Sequence, residues 1–124
     1  MTVDADWTTG EPRLFAQRCP EGHAWYLPRL RCPRCAAVVS TFEPSGCGIV
    51  FAQTSLHRRV AASGDPAGPK AKEAIGIALV DLDEGVRMMV RCVPGTPVGA
   101  RVQVSIEFDE GSQRLLPFCA EVTA

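Results

Sequence analysis

The stretch from Cys19 to Cys35 limits what this chain can fold into more than any other. It reads Cys19-Pro20-Glu21-Gly22-His23 at one end and Cys32-Pro33-Arg34-Cys35 at the other, with an apolar and basic spacer between them. A Cys-x2-Cys turn lets two thiolates reach one ion from the same side. The facing turn has Cys19 in place, but Gly22 stands where a second thiol would be and His23 follows it. An imidazole is longer than a cysteine side chain, so a ligand one residue further along still reaches the metal. The pattern predicts a zinc ribbon ligated by Cys19, His23, Cys32 and Cys35. Three thiolates and an imidazole at tetrahedral geometry leave no open position for a substrate water. The Zn2+, one per chain, is therefore expected to be structural. The competing reading is a ribbon that has lost a ligand and its metal and persists as a packed hairpin. Cys47, Cys92 and Cys119 are alternative fourth ligands, but each sits in an apolar strand-like run, where free cysteine acts as a small buried hydrophobe.

The chain of 124 residues suits one modest domain with a small appendage. The residues around the knuckles cannot bury enough apolar surface alone, which is the physical reason a metal is wanted there. Six cysteines would also fit a disulfide scaffold, but no hydrophobic signal segment is seen and the Cys-x2-Cys spacing favours metal. No apolar run approaches the roughly 20 residues of a membrane span. A cytoplasmic protein without membrane contact is expected. The net charge is −1, whereas a nucleic-acid binder usually shows a basic surplus or stripe. Local basic clusters do exist, Arg29, Arg31 and Arg34 around the second knuckle and His57, Arg58 and Arg59 further on. Most such clusters are solvated faces; these stand as candidates for phosphate contacts.

Along the chain, residues 1–12 are polar and aperiodic and read as a flexible or loosely docked tail, with Trp7 as its anchor. The ribbon is expected over residues 13–45, with strands at 13–18, 24–27 and 36–43. Trp25 and Tyr26 either pack over the knuckles as a mini-core or line a passage between the ribbon and the next domain. Pro44-Ser45-Gly46 breaks the pattern and opens a second domain over residues 46–124. Its first strand, 47–56, places Ile49, Phe51 and Gln53 on one side. A long loop follows over residues 58–72, and its stretch 60–72 is expected to be mobile in the free protein and to order on a partner or a phosphorylated ligand. Strand 74–82 alternates large and small residues, so one of its faces is approached closely by backbone or ligand. Asp83-Glu84-Gly85 turns into strand 86–93. Strand 101–108 puts Val102, Val104, Ile106 and Phe108 inward, and strand 115–122 carries Pro117 as an edge or bulged strand. Five strands and no helical period make an all-β chain with a small closed barrel. An OB-fold fits best, with an SH3-like barrel or an open sandwich next.

With the ribbon and barrel placed, the chain resembles the zinc-ribbon plus OB-fold acyl-CoA-associated family, the OB-fold partner subunits of thiolase-type enzymes. The resemblance covers residues 13–122. It is carried by residues 14–19, by Cys32-Pro33-Arg34-Cys35, by Ser45-Gly46-Cys47-Gly48-Ile49-Val50 and by Val80-Asp81-Leu82-Asp83-Glu84-Gly85-Val86-Arg87. Val98-Gly99-Ala100-Arg101-Val102 and Leu116-Pro117-Phe118 complete it. None is specific alone; their order and spacing are. The family's ribbon is rubredoxin-like and usually has four cysteines, where this chain has Gly22-His23 in place of Cys-Gly. Many members carry a helix ahead of the ribbon, for which residues 1–12 leave little room.

The resemblance implies a non-catalytic subunit that binds a thiolase, a lipid-transfer-type aldolase or a ketosynthase-like enzyme and helps bind or channel an acyl-CoA or carrier-linked substrate. Substrate contacts are then expected from Trp25, Tyr26, Arg29, Arg31, Arg58 and Arg59. The residues themselves show no nucleophile elbow, no phosphate-cradling glycine loop and no paired carboxylates with an obvious task. Asp81, Asp83 and Glu84 sit at a hairpin turn, where acidic residues are ordinarily solvated. The rival class is a single-stranded nucleic-acid module, which needs exposed aromatic platforms beside a basic groove. With Phe51 and Phe108 read as inward, that chemistry is missing. A third class, an independent acyltransferase or thioesterase, lacks its motifs.

Overall fold

The computed structural model describes residues 5–61 and 70–122, with the backbone alone over 58–61 and 70–73. Ala16–Arg18 (β1), Ala24–Trp25 (β2) and Ser40–Phe42 (β3) form a small antiparallel sheet in the order β2-β1-β3. Cys47–Ala61 (β4), Lys70–Leu82 (β5), Arg87–Cys92 (β6), Arg101–Asp109 (β7) and Arg114–Glu121 (β8) close a barrel in the order β4-β5-β6-β8-β7. Among the described residues there is no α-helix, only a 3-10 turn at Trp7–Thr9. The ribbon-then-barrel architecture is the one expected.

The two knuckles are built on different lengths of chain. In the first, the Cys19 N–H donates to the His23 carbonyl at 3.0 Å, and Gly22 takes the left-handed conformation at φ 90°. In the second, the Cys32 N–H reaches the Ala37 carbonyl at 3.0 Å, and the left-handed position falls on Ala36 at φ 63°. The first knuckle is thus one residue shorter, and its turn is complete before the ligand at position 23. The second holds its ligand at Cys35, before the turn. The left-handed Ala36 also explains why the strand expected over 36–43 is only Ser40–Phe42.

The barrel interior is filled by Val50, Val80, Val86, Met88 and Val102, each less than 3% exposed. On β5 the small residues face inward because there is no room for larger ones. A Cβ on Gly76 would lie 2.5 Å from the Cys92 carbonyl oxygen and 2.9 Å from its sulfur. Close approach at this small-residue face was the expectation, and its consequence is that Ile77 and Leu79 turn outward. Cys92 and Cys119 are buried in the same cluster, as their apolar runs predict.

Three strand readings need correction. The ladder shifts register between Val50 and Ala52, so Phe51 is a bulge residue. Ile49 and Phe51 therefore lie outside, 45% and 51% exposed, while Val50 is 1% exposed. Beyond the bulge the inward parity moves to odd numbers, with Gln53 opposite Ala78. Phe108, expected inside, is 56% exposed, because the end of β7 runs out into the β7–β8 hairpin, where it pairs with Leu115. The loop expected over 58–72 is strand at both of its ends, over 58–61 and 70–72, since β4 and β5 stay paired as far as Ala61↔Lys70. Val60, Ala61 and Ala71 suit a ladder, and the turn formers Gly64, Pro66, Gly68 and Pro69 come only later. The segment 62–69, with the mobility expected of it, lies outside the described residues.

One buried cluster runs through both parts. Leu14 and Ala16 of the ribbon join it, and Trp7, Tyr26 and Phe42 pack against it. Asp6 caps the 3-10 turn, accepting from the Thr8 N–H at 3.0 Å. Trp7, read as an anchor, donates its indole N–H to the Tyr26 hydroxyl at 2.8 Å.

Candidate metal centre and the groove beside it

The side chains of Cys19, His23, Cys32 and Cys35 converge, their donor atoms all within 4.8 Å of one another. The Cys19 sulfur lies 3.4 Å from His23 Nδ1 and 3.7 Å from the Cys35 sulfur, and the Cys32 sulfur lies 3.5 Å from the same nitrogen. A tetrahedral zinc with ordinary Zn–S and Zn–N bonds has S···S edges of about 3.8 Å and S···N edges of about 3.6 Å. The donor set fits a metal ion of that size. His23 presents Nδ1, the nitrogen nearer its backbone, so the length of the imidazole is not what brings it in; the shortened first knuckle is.

The electrostatics favour thiolate at Cys32. Burial pushes the Cys32 thiol up, but the backbone N–H groups of Arg34 and Cys35, with the Cys35 and His23 side chains, outweigh it and hold the group at about 6. The Arg34 N–H donates to the Cys32 sulfur at 3.4 Å. Cys35 moves the other way: the Ala37 N–H lowers it, but burial and the neighbouring Cys32 and Cys19 sulfurs raise it further. Thiolates this close repel one another unless a cation is bound between them.

Beside the ribbon lies a groove of about 740 Å³ between ribbon and barrel. The ribbon side is Trp25, Tyr26, Leu27, Arg29 and Pro33, and Trp7 also lines the groove. The barrel side is Ile77 and Leu79 of β5, the β6 run from Arg87 to Arg91, and Leu116 and Pro117 of β8. The outward Ile77 and Leu79 noted above form part of this wall. Gln17 fixes the ribbon side. Although only 7% exposed, it accepts at Oε1 from the Trp25 indole N–H and from the Arg29 backbone N–H, both at 2.7 Å.

Burial raises the Tyr26 phenol above its usual range; the Trp7 hydrogen bond lowers it and nearby Asp6 adds to the rise. The hydroxyl stays protonated. It accepts from Trp7, which leaves its proton to donate to a second partner.

Of the six expected substrate contacts, the structure brings Trp25, Tyr26 and Arg29 together on this groove. Arg31 is exposed and does not line it, because the spacer turns it to solvent. Arg58 and Arg59 are placed on β4 opposite Glu73 and Lys72. Sequence reasoning missed Gln17, Ile77, Leu79, Met89 and Leu116. On the alternating strand Met89 reads as an outward residue, and in the structure it is 63% exposed.

The acidic turn after β5 is structural. Asp81 takes a bidentate contact from Arg87 at 2.6 and 3.0 Å, Asp83 pairs with Arg101, and Glu84 accepts from the Ser45 N–H at 2.8 Å. The Arg87 guanidinium also covers the Phe51 ring at 3.6 Å. No carboxylate of this turn is held against a nucleophile or a groove residue other than Arg87.

Among curated proteins, none matches this chain in sequence. A chain of a solved structure described as an Ltp2-ChsH2(DUF35) aldolase is similar over 90% of this chain and 86% of its own length. The two share 26% identity and a TM-score of 0.66. A family model described as ChsH2, C-terminal OB-fold domain, matches residues 43–110. That span takes in β4 to β7 and the acidic turn, more than half of the sequence, and the chain belongs to the family of the ChsH2 C-terminal OB-fold domain.

Proposed function

We propose that this chain is a non-catalytic accessory subunit of a thiolase-like enzyme, of the lipid-transfer-type aldolase, thiolase or ketosynthase-like kind. In that role it helps bind or channel an acyl-CoA or carrier-linked substrate in the cytoplasm. The observation that carries the reading is the groove: an apolar slot at the ribbon–barrel junction, lined also by Arg29, Arg87 and Arg91, with no Cys, His or Ser among its lining residues. A pantetheine or acyl chain needs an apolar slot, and a diphosphate needs cations near its mouth. The similarity to a chain of an Ltp2-ChsH2(DUF35) aldolase supports a place beside such an enzyme. No helix among the described residues is long and apolar enough to cross a membrane.

Each wall has a task in this reading. Ile77, Leu79 and Met89 offer the apolar surface, and Arg29 the exposed cation. Tyr26 donates its hydroxyl proton to a carbonyl or amide of the ligand. Gln17 holds Trp25 and the Arg29 backbone so that the ribbon wall does not collapse inward. The Cys19, His23, Cys32 and Cys35 cluster holds a structural Zn2+, one per chain. Soft thiolates with an imidazole suit that ion, and the bound metal supplies rigidity. The reacting groups belong to the partner.

The exposure of Phe51 and Phe108 gives the single-stranded nucleic-acid reading one observation in its favour. The Phe51 ring, however, is already covered by Arg87 on one face. Co-expression with a thiolase-like enzyme decides between them. A stoichiometric complex is expected, and Leu79→Trp, which fills the groove, should lower the enzyme's turnover at least tenfold without dissociating the complex. Failure to co-purify, with tight binding of an oligonucleotide instead, would overturn this reading.

A further inference from the structure

The β4–β5 hairpin is longer than the barrel requires. β4 meets β7 only at Cys47, Gly48 and Ile49, and β5 meets β6 only between Gly76 and Asp81. The β4–β5 ladder nonetheless continues to Ala61↔Lys70. Residues 56–61 and 70–75 therefore form a two-stranded arm with no third strand on either side among the described residues. Such a ribbon is marginal in water, and both of its edges present unpaired backbone groups.

The register sorts the arm into two unlike faces. The pairs His57↔Ala74, Arg59↔Lys72 and Ala61↔Lys70 share one face, and Leu56↔Ile75, Arg58↔Glu73 and Val60↔Ala71 share the other. The first face has Arg59, Lys70, Lys72 and His57 and no carboxylate. Like charges at directly opposed positions destabilise a ladder, and Arg59 stands opposite Lys72. The arm's paired positions hold four cations and one carboxylate, in a chain whose net charge is −1. The second face is apolar apart from one pair of opposite charges. By the alternation of β5 it continues through Ile77 and Leu79, which line the groove; on it Ile75 is buried, at 7% exposed, and Leu56 is 51% exposed.

We infer that this arm is a docking element for a protein partner whose surface offers an apolar seat and a row of carboxylates. Its apolar face extends the groove wall onto the partner, and its basic face meets the carboxylates. The opposed cations, unfavourable in the free chain, are neutralised there. A protein fits better than a nucleic acid because the arm has no Phe, Tyr or Trp on which a base can stack. The inference rests on the accessory-subunit reading and takes its thiolase-like enzyme as the partner.

The test is the affinity of the full chain for that enzyme, by calorimetry, at about 50 and about 500 mM salt, where exposed charge pairs are screened to different degrees. Arg59→Glu with Lys72→Glu should weaken the complex about tenfold at low salt and flatten its salt dependence. Leu56→Asp should weaken it at both salt concentrations. Arg59→Gln with Lys72→Gln, a milder change, should give the intermediate result, and an unchanged melting temperature establishes that the variants fold. Unchanged affinity in all of them overturns the docking arm and leaves the subunit reading standing. No complex with the unmodified chain overturns both. Binding of an oligothymidine that the charge reversals abolish overturns the protein partner in favour of nucleic acid.

Discussion

The ribbon and the barrel reach order by different means. The barrel buries Val50, Ala78, Val80, Leu82, Val86, Met88, Val90, Val102 and Val104, and its strands hold one another through continuous ladders. The ribbon buries Leu14, Ala16 and, apart from those, mainly polar or ligating groups: Gln17, Cys19 and Cys32. Its sheet has strands of two and three residues. The barrel is held by its hydrophobic core; the ribbon is a scaffold of turns whose Cys19, His23, Cys32 and Cys35 could hold a metal ion. Groove residues come from both, so the shape of the groove depends on the weaker of the two.

The largest effect that tests this contrast is metal removal. A Cys3His site contributes on the order of 10 kcal/mol of apparent folding energy in small zinc modules. Chelation should abolish hydrogen-exchange protection in β1, β2 and β3 while the barrel ladders stay protected. His23→Ala should lower metal content measurably below one ion per chain. Full protection after chelation would show the ribbon to be a packed hairpin. Next comes Met88→Ala, which empties a site only 2% exposed and should cost about 2–5 kcal/mol in denaturant unfolding with metal content unchanged. Loss of metal in that variant would show the two regions to be one cooperative unit. Gln17→Ala strands the Trp25 indole N–H and the Arg29 backbone N–H, and should cost about 1–3 kcal/mol with a red shift or broadening of tryptophan emission. Unaltered emission and stability would mean that water replaces the amide.

The smallest effect is the pH dependence of the barrel's acidic turn. The Arg87 hydrogen bond holds the Asp81 carboxyl below its ordinary value despite the opposing effect of burial. Its stabilising contribution is therefore present above the unfolded carboxylate value and is lost as pH falls through the lower folded value. Acid titration should show this loss below pH 4, and Asp81→Asn should remove it. The pair is exposed, so the effect should be screened by salt.

How much of this was legible depended on whether the signal was local. The Cys19, His23, Cys32 and Cys35 cluster, the turn at Asp83-Glu84-Gly85, the alternation of β7 as far as Val104 and the close packing beside Gly76 are written in neighbouring residues, and spacing and alternation were enough to find them. The bulge at Phe51 was not. It exists because Val50 must face Val80 while Gln53 faces Ala78, a condition set by a strand distant in sequence. Phe51 then finds Arg87, another long-range partner. The groove was half legible: Trp25, Tyr26 and Arg29 stood out as aromatic and basic residues by the knuckles, whereas Ile77 and Leu79 looked like core until Gly76 and Ala78 took the inside. Arg31 has the same composition signal as Arg29. Only the Gln17 contact to the Arg29 backbone sets the two apart.

The central claim is that the chemistry lies in a partner and that this chain shapes its substrate path. Turnover of an acyl-CoA substrate by the thiolase-like enzyme, as thiolysis, condensation or retro-aldol cleavage, tests it directly when measured with and without this chain and with this chain alone. The account predicts no turnover by the isolated chain, poor activity or instability of the enzyme alone, and full activity when the two are combined. An enzyme that is fully active and monodisperse alone, or turnover by this chain in isolation, would contradict it.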